Sequence, residues 1–288
     1  MHVLVAGAGW LGSALSRALA AAGHRVTALR RDPVRAAANA SPGVDTLALD
    51  LCAPGAAERL PRGLDAVVAC QSAGADGPVA YRRAYLDATS ALIAGLRGAG
   101  RPAALVYTGS TGVFGQRDGS DVDEETAPAP ASPTAEILVE AERLVLGAGA
   151  GVAGLRAMVL RLSGLYGPGR NWPVERVRSG HIAIGPGDGS WLNLCHLDDA
   201  VAAVVAAIDR GAGGRVYHAT DAEPVRRRDL AAWVAGRLEI PPPRLPDGAG
   251  APALPDRRIH GERTRAELGL TLAHPSFREG LSSGPPFV

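Results

Sequence analysis

The sequence predicts an α/β protein: a doubly wound parallel sheet with a smaller C-terminal lobe. Three observations predict this. Short, nearly continuous apolar runs alternate with segments of helical periodicity through the first 165 residues, as expected for parallel strands covered by helices on both faces. A glycine-rich turn follows the first apolar run directly. The composition, 47% hydrophobic and 20% charged over 288 residues, is that of an ordinary globular protein.

The first half of the chain alternates predicted strands with predicted helices. Strands are expected over Val3–Ala6, Arg25–Leu29, Val44–Leu49, Asp65–Cys70, Ala103–Thr108 and Arg156–Leu162. Helices are expected over Leu11–Ala22, Val79–Leu96 and Thr134–Leu146. Because parallel strands need crossover connections, which are usually helical, this alternation favours a parallel sheet.

Residue counts exclude several classes of function. The chain carries 30 basic and 29 acidic residues, a net charge of +1, which gives no field to attract nucleic acid or an anionic membrane. All 30 basic residues are arginine, so a Schiff-base lysine, a P-loop lysine and a lysine-assisted tyrosine acid are excluded. Three scattered cysteines fit a reducing cytoplasm and exclude a disulfide framework. We see no signal peptide, membrane span or metal-ligand spacing, and expect a cytoplasmic protein without a metal.

The glycine-rich turn carries the strongest functional signal. Its sequence is Gly7-Ala8-Gly9-Trp10-Leu11-Gly12, a G-x-G-x-x-G between a strand and a helix. Gly7 permits the tight turn, Gly9 lets a pyrophosphate approach the backbone, and Gly12 allows the helix to pack closely on the strand. The helix N-terminus offers free N–H groups to phosphates. We therefore predict that this segment, including Trp10 and Leu11, binds a dinucleotide.

The end of the second strand indicates which dinucleotide. NAD sites usually place an acidic residue about 20 residues beyond the first glycine, to bind the ribose 2′-hydroxyl. Here the strand ends with Arg30 and Arg31, and guanidinium groups pair well with a 2′-phosphate. NADP is therefore favoured, while Asp32 leaves NAD open.

After about residue 165 the pattern changes. Glycine, proline, tryptophan and asparagine accumulate in loops, with helices predicted over Asp198–Ile208 and Arg226–Leu238. A Pro/Gly-rich connection spans Ile240–Asp256. We expect an NADP-binding Rossmann domain over residues 1–165 and a small substrate-binding lobe over 166–288. The lobe is expected to be discontinuous, with part of the chain returning to the sheet and a ligand cleft between the two units.

The chain resembles the extended short-chain dehydrogenase/reductase superfamily, in particular an atypical branch of its NAD-dependent epimerase/dehydratase proteins. The resemblance covers almost the whole chain and rests on the segments GAGWLG (7–12), LDL (49–51), VYTGSTGVFG (106–115), LRLSGLYGPGR (160–170), HLDDA (196–200) and SFREGL (276–281). It implies that Asp50, with Leu51 beside it, contacts the adenine. It also implies that Cys70, Gln71 and Ser72 line the adenosine and that Ser110 belongs to the catalytic set. A turn hydroxyl that satisfies a local N–H is the alternative role for Ser110.

The chain departs from this family at the catalytic Tyr-x-x-x-Lys. Counting back from Glu142 places Thr134 at the tyrosine position and Leu138 at the lysine position, and neither can replace the missing group. Tyr166, in a loop that flanks the nicotinamide in relatives, is our candidate proton donor; a packing aromatic is its alternative role. Glu136, Glu140, His196 and Tyr85 are further polar candidates, for which structural or solvated roles are favoured.

Three functions stay open. The first is an NADP-dependent oxidoreductase that reduces a small molecule needing little proton help, such as an imine, an iminium or a conjugated acceptor. The second is an epimerase, dehydratase or lyase that retains its cofactor. The third is a non-catalytic NADP-binding sensor. The expected partners are the cofactor and a small-molecule substrate, and a homodimer is compatible with the sequence.

Overall fold

The computed structural model describes residues 1–97, 104–152, 154–186, 188–245 and 254–282. The strands in these ranges are β1 (His2–Ala6), β2 (Arg25–Arg30), β3 (Val44–Ala48), β4 (Ala66–Ala69), β5 (Ala104–Ser110), β6 (Arg117–Val122), β7 (Arg156–Leu162), β8 (Gly164–Tyr166), β9 (Trp191–Leu192), β10 (Leu194–His196), β11 (Val216–Ala219), β12 (Val225–Arg226) and β13 (Asp256–Ile259). The α-helices are α1 (Trp10–Ala21), α2 (Pro33–Ala37), α3 (Pro78–Tyr81), α4 (Ala88–Arg97), α5 (Pro133–Gly151), α6 (Trp172–Arg178), α7 (Leu197–Arg210), α8 (Arg227–Leu238), α9 (Glu262–Leu268) and α10 (Phe277–Ser282). Short 3₁₀ turns lie at Ala57–Arg59 and Thr111–Val113, and a π-helical turn at Arg82–Asp87.

Seven parallel strands form the central sheet, in the order β11-β7-β5-β4-β1-β2-β3. The order reverses between β1 and β4, so their carboxyl ends diverge and leave a crevice where ligands bind in such sheets. Strand β11 comes from the C-terminal part of the chain and pairs with β7. The predicted doubly wound α/β fold is therefore confirmed.

Both faces of the sheet are buried, which explains the nearly continuous apolar strands. In β1, Val3 and Val5 belong to the core layer that contains residues of α1 and α7. Leu4 and Ala6 face the opposite layer, which contains residues of α4 and α5. Strand β1 thus places alternate side chains in two separate cores.

The C-terminal elements form a smaller apolar cluster outside the sheet. It joins buried residues of α6, α8 and α10, including Val174, Leu230 and Phe277. Three two-stranded pairs connect this region to the turns that follow the central sheet: β8 with β10, β9 with β12, and β6 with β13. No helix of the described ranges is both long and apolar enough to cross a membrane.

Element boundaries differ modestly from the prediction. The predicted helix over Val79–Leu96 is interrupted by the π-helical turn, and α5 continues to Gly151, beyond the predicted end at Leu146. Core burial of Ala148 stabilises this last stretch of α5. Ala103, where the fifth strand was expected to begin, lies outside the described residues, as do residues 246–253 of the predicted connection.

Candidate cofactor site

The turn between β1 and α1 requires glycine at two positions. Gly7 has φ +96°, and a Cβ there would lie 2.5 Å from the backbone nitrogen of Gln71. A Cβ on Gly12 would lie 2.5 Å from the carbonyl oxygen of Gly7. The turn is fixed by the N–H groups of Gly7 and Ala8, which both donate to the carbonyl of Leu29, at 3.1 and 3.0 Å. Only glycine lets the turn approach the end of β4 and the start of α1 this closely.

Gly9 faces open space instead. A Cβ on Gly9 would meet no atom nearer than the Gly7 carbonyl oxygen, at 3.8 Å. Helix α1 begins directly after it, has no side-chain N-cap and carries no acidic residue in its first turn. Unpaired N–H groups and the positive end of the helix dipole therefore lie at the crevice, where an anion is stabilised.

A cleft with about 660 Å³ of empty space lies beside this turn. It runs along the carboxyl ends of β1, β2, β3 and β4. Eight of the predicted cofactor residues line it: Gly7, Gly9, Arg30, Arg31, Asp50, Leu51, Gln71 and Ser72. Residues separated by up to 65 positions in the chain thus meet in one site.

Four predicted residues lie behind the cleft. Trp10 donates from Nε1 to the carbonyl of Pro168 at 2.9 Å and holds the 167–170 loop against α1. Leu11 is in the core, and Gly12 is buried at the start of α1. The Cys70 thiol points at the carbonyl of Gly7, with Sγ 3.4 Å from it, and burial raises its pKa to about 12. These residues support the turn, and their side chains do not line the cleft.

Arg30 and Arg31, at the end of β2, line the cleft. Within the described ranges, neither Arg30, which is half-buried, nor Arg31, which is exposed, forms an ion pair. Asp32 does not line the cleft, and its Oδ1 accepts the N–H of Arg35 at 2.9 Å and caps α2. Two guanidinium groups therefore remain available at this end of the cleft, where the sequence had left Asp32 open as a ribose partner.

Asp50 lies opposite them and is held by a residue that the sequence analysis missed. Arg83, on the π-helical turn, donates to Asp50 Oδ2 at 2.5 Å, and the Cys52 N–H donates to Oδ1 at 3.0 Å. Burial raises the pKa of Asp50, but these hydrogen bonds and the charges of Arg83 and Arg31 outweigh it and hold the pKa below its usual value. Asp50 is therefore an anion. The pair Arg82-Arg83 after the fourth strand was the signal available in the sequence.

The residues of the cleft fit a dinucleotide. The Nε2 atom of Gln71 is shielded from solvent and has no hydrogen-bond partner in the structure, although an unmade buried hydrogen bond is costly. A ligand in the cleft would supply an acceptor for it. Gly9 leaves room for a pyrophosphate, Arg30 and Arg31 supply positive charge, and Asp50 supplies an acceptor.

The two predicted catalytic residues lie outside this cleft. Ser110 ends β5, and its hydroxyl accepts the N–H of Gly112 at 3.0 Å, the turn role given above as its alternative. Tyr166 has no exposed surface; its hydroxyl lies 3.5 Å from the Ser276 carbonyl, and burial raises its pKa. We expected Tyr166 to lie beside a substrate, but helix α10 covers its ring at Gly280.

The start of α5 lacks an ionisable group at the positions of the missing tyrosine and lysine. Thr134 lies in the first turn, with its hydroxyl 3.1 Å from that of Ser132, and Leu138 is buried. Glu140 on the same helix is exposed and pairs with Arg82 at 2.9 Å. Tyr85 is half-buried next to Tyr81, with ring centroids 5.2 Å apart, and burial raises its pKa.

The structure gathers one group of side chains that the sequence separates. His196, Asp198 and His274 place one possible metal-binding atom each within 4.8 Å of the others. His196 Nδ1 accepts the N–H of Asp198 at 3.3 Å as the N-cap of α7, and its ring lies 3.8 Å from that of His274. We predicted no metal because metal-ligand spacing is absent along the chain, and His274 is remote from the other two residues in the sequence.

Comparison with known proteins gives the same fold and a consistent family. The chain is 34% identical over 310 residues to the 3-diazoavenalumate denitrifying reductase of a Streptomyces species, covering 98% of this chain and 99% of the relative. It is 33% identical over 264 residues to the 2-alkyl-3-oxoalkanoate reductase of Stenotrophomonas maltophilia, covering 84% of this chain and 77% of the relative. The structure of MoeE5 in complex with UDP-glucuronic acid and NAD matches with a TM-score of 0.81 and 25% identity, over 98% of this chain and 97% of that one.

The family model described as "NAD dependent epimerase/dehydratase family" matches residues 3–219, which include the glycine-rich turn, the cleft and the sheet through β11. With that match and the 34% identical relative, this chain belongs to the NAD-dependent epimerase/dehydratase family.

Proposed function

We propose that this protein is an NADPH-dependent reductase of a small molecule that accepts hydride without a tyrosine acid. The observation that carries the proposal is the cleft itself. It combines a glycine turn open at Gly9, guanidinium groups of Arg30 and Arg31 without an ion pair, and a lining that does not include the carboxylate of Asp32.

The residues would hold the cofactor from both ends. The N-terminus of α1 and the backbone at Gly9 would bind the pyrophosphate, and Arg30 and Arg31 the 2′-phosphate. Asp50, held by Arg83, would accept a hydrogen bond from the adenine amine. When bound, a reduced nicotinamide supplies a hydride, and the protein then has to position the acceptor and exclude water.

The start of α5 limits the choice of acceptor. A simple ketone becomes an alkoxide as it accepts hydride and so gains from a positioned acid, which is commonly worth about 10²- to 10⁴-fold in rate. Thr134 and Leu138 supply no such acid, and Tyr166 is buried. An acceptor that is already cationic, or whose charge is delocalised by conjugation, needs no proton in the same step. Iminium ions, diazonium ions and conjugated carbonyl compounds meet this condition.

The names of two relatives support this class. One is a reductase named for a diazo compound, and the other is named for an oxoalkanoate. The first fits an acceptor that needs no proton donor. The second is a ketone reductase by name. The experiment must therefore distinguish reduction of a ketone from reduction of an acceptor that needs no proton donor.

The test is hydride transfer from NADPH with three acceptors of similar size: a cyclic iminium ion, an arenediazonium ion and a 3-oxoalkanoate. We expect NADPH consumption with at least one of the first two, at a rate at least 100-fold above that with the ketone. A ketone reduced as fast as the others would overturn the proposal. NADPH binding without consumption of any acceptor would support a non-catalytic sensor instead.

A further inference from the structure

The arginine of β13 at position 257 differs from the other buried arginine of this region, Arg161. Arg161 is only 3% exposed, but Glu142 neutralises it through two hydrogen bonds of 2.9 and 2.8 Å. Arg257 is 7% exposed, and no acidic residue in the described ranges forms an ion pair with it. Burial alone lowers the pKa of its guanidinium, without an opposing carboxylate.

Most hydrogen-bonding capacity of this guanidinium is unused. Its Nη2 donates to the carbonyl of Thr111 at 2.9 Å, whereas Nε and Nη1 are shielded from solvent and have no partner in the structure. Arginine carries five N–H donors, and a buried charge without a counter-ion is strongly destabilising. Such an arrangement points to an anionic group that arrives with a ligand.

The place of Arg257 in the fold indicates which ligand. Thr111 directly follows Ser110, at the carboxyl end of β5. This is the same edge of the sheet at which Gln71 and Ser72 follow β4 and line the cleft. In a sheet of this type the dinucleotide lies across this edge, with one half on each side of the point where the strand order reverses. With the 2′-phosphate at β2 and the adenine at β3, as proposed above, the reactive end of the cofactor would lie at β4 and β5.

The backbone of β13 is held firmly at this position. Asn193 donates from Nδ2 to the carbonyl of Arg257 at 2.9 Å and accepts the N–H of Ile259 at 2.8 Å. Strand β13 also pairs with β6 from Arg257 to Ile259. The backbone that carries Arg257 is thus fixed in advance, and Nη2 is held at the Thr111 carbonyl, which lowers the entropy lost when an anion binds.

We propose that Arg257 binds a carboxylate of the substrate and so positions the substrate at the reactive end of the cofactor cleft. A carboxylate is chosen because its planar oxygens match guanidinium N–H groups, and because its charge supplies the missing counter-ion. This inference rests on the proposed function in that the carboxylate belongs to the molecule being reduced.

The test measures binding, so that it does not depend on turnover. Protein saturated with NADP⁺ is titrated calorimetrically with benzoate, 4-hydroxycinnamate and 3-oxohexanoate, with the methyl ester of each, and with inorganic phosphate. We expect at least one carboxylate to bind at least tenfold more tightly than its ester. In Arg257→Met this preference is expected to disappear, while the affinity for NADPH stays unchanged. Arg258→Met is the matched control: Arg258 is the next residue on β13, is half-buried and pairs with Asp121 at 2.6 Å.

Thermal unfolding separates an anchoring role from a structural one. Because Arg257→Met removes a buried charge without a counter-ion, we expect an unfolding temperature equal to or above that of the wild type. A large decrease in that temperature would make Arg257 a structural residue and overturn the proposal. It is also overturned if esters and carboxylates bind the wild type equally, if no carboxylate binds, or if only phosphate does. If the wild type does not bind NADPH, the proposed function is refuted instead.

Discussion

The proposed preference for NADPH over NADH rests on two guanidinium groups, and measuring it is the most direct test of the cofactor cleft. The change is the double substitution Arg30→Ala and Arg31→Ala. Charge-assisted hydrogen bonds contribute about 1.5–3 kcal/mol each when shielded from water. Arg31 is exposed and Arg30 half-buried, so solvent screening reduces this value, and we expect about 1.4 kcal/mol or more for the pair. Such a difference is about a tenfold preference for NADPH.

The assay is titration of cofactor fluorescence with NADPH and NADH at two salt concentrations. The double variant is expected to bind NADPH about tenfold more weakly and NADH as the wild type does. Raising the salt from about 0.05 M to about 0.5 M should weaken NADPH binding more than NADH binding, because it screens the additional phosphate charge. Arg35→Ala is the control, since Arg35 is exposed on α2 and does not line the cleft. Equal wild-type affinities for the two cofactors, or an unchanged ratio in the double variant, would refute the assignment.

Three further predictions concern the turn, the catalytic candidates and an unusual acid. Gly9→Val is expected to abolish NADPH binding in a folded protein, because a Cβ there has free space but stands in the pyrophosphate path; binding retained by the folded variant, checked by circular dichroism, would contradict this. Tyr166→Phe should keep the wild-type kcat because its hydroxyl is buried; a large fall in kcat in steady-state rates would restore its proton-donor role. Ser110→Ala should lower kcat only modestly, through the loss of the hydrogen bond that fixes the turn at Gly112. Burial and the nearby Asp199 raise the pKa of Asp221 to about 8, so the folded state holds its proton more tightly than the unfolded state. Protonated Asp221 contributes its full stabilisation of the fold below about pH 4 and loses it as the pH rises through 8. In the wild type the unfolding temperature should therefore fall between pH 5 and 9, and in Asp221→Asn it should fall less. An equal fall in the two proteins would contradict this prediction.

The sequence by itself determined the parallel sheet and the cofactor turn. Strands buried on both faces cannot alternate polar and apolar residues, so β1, β4 and β5 stand out as apolar runs without any tertiary information. Gly7 and Gly12 are required by close contacts between neighbouring segments. Their spacing in the G-x-G-x-x-G segment is a local pattern, so the sequence alone reveals the turn. The family also followed from motifs that are each a short continuous segment of the chain.

Only the tertiary structure decided which polar side chains meet. Arg83 lies at Asp50 because the π-helical turn passes over the end of β3, and Arg257 lies at Thr111 because β13 pairs with β6. Tyr166 looked like a loop residue near substrate, yet α10, more than 100 residues later, covers it. Burial and pairing between distant segments leave no local pattern in a sequence, since they depend on how complete elements pack. For that reason the sequence predicted the glycine-rich turn, whereas it did not predict the environment of each candidate catalytic residue.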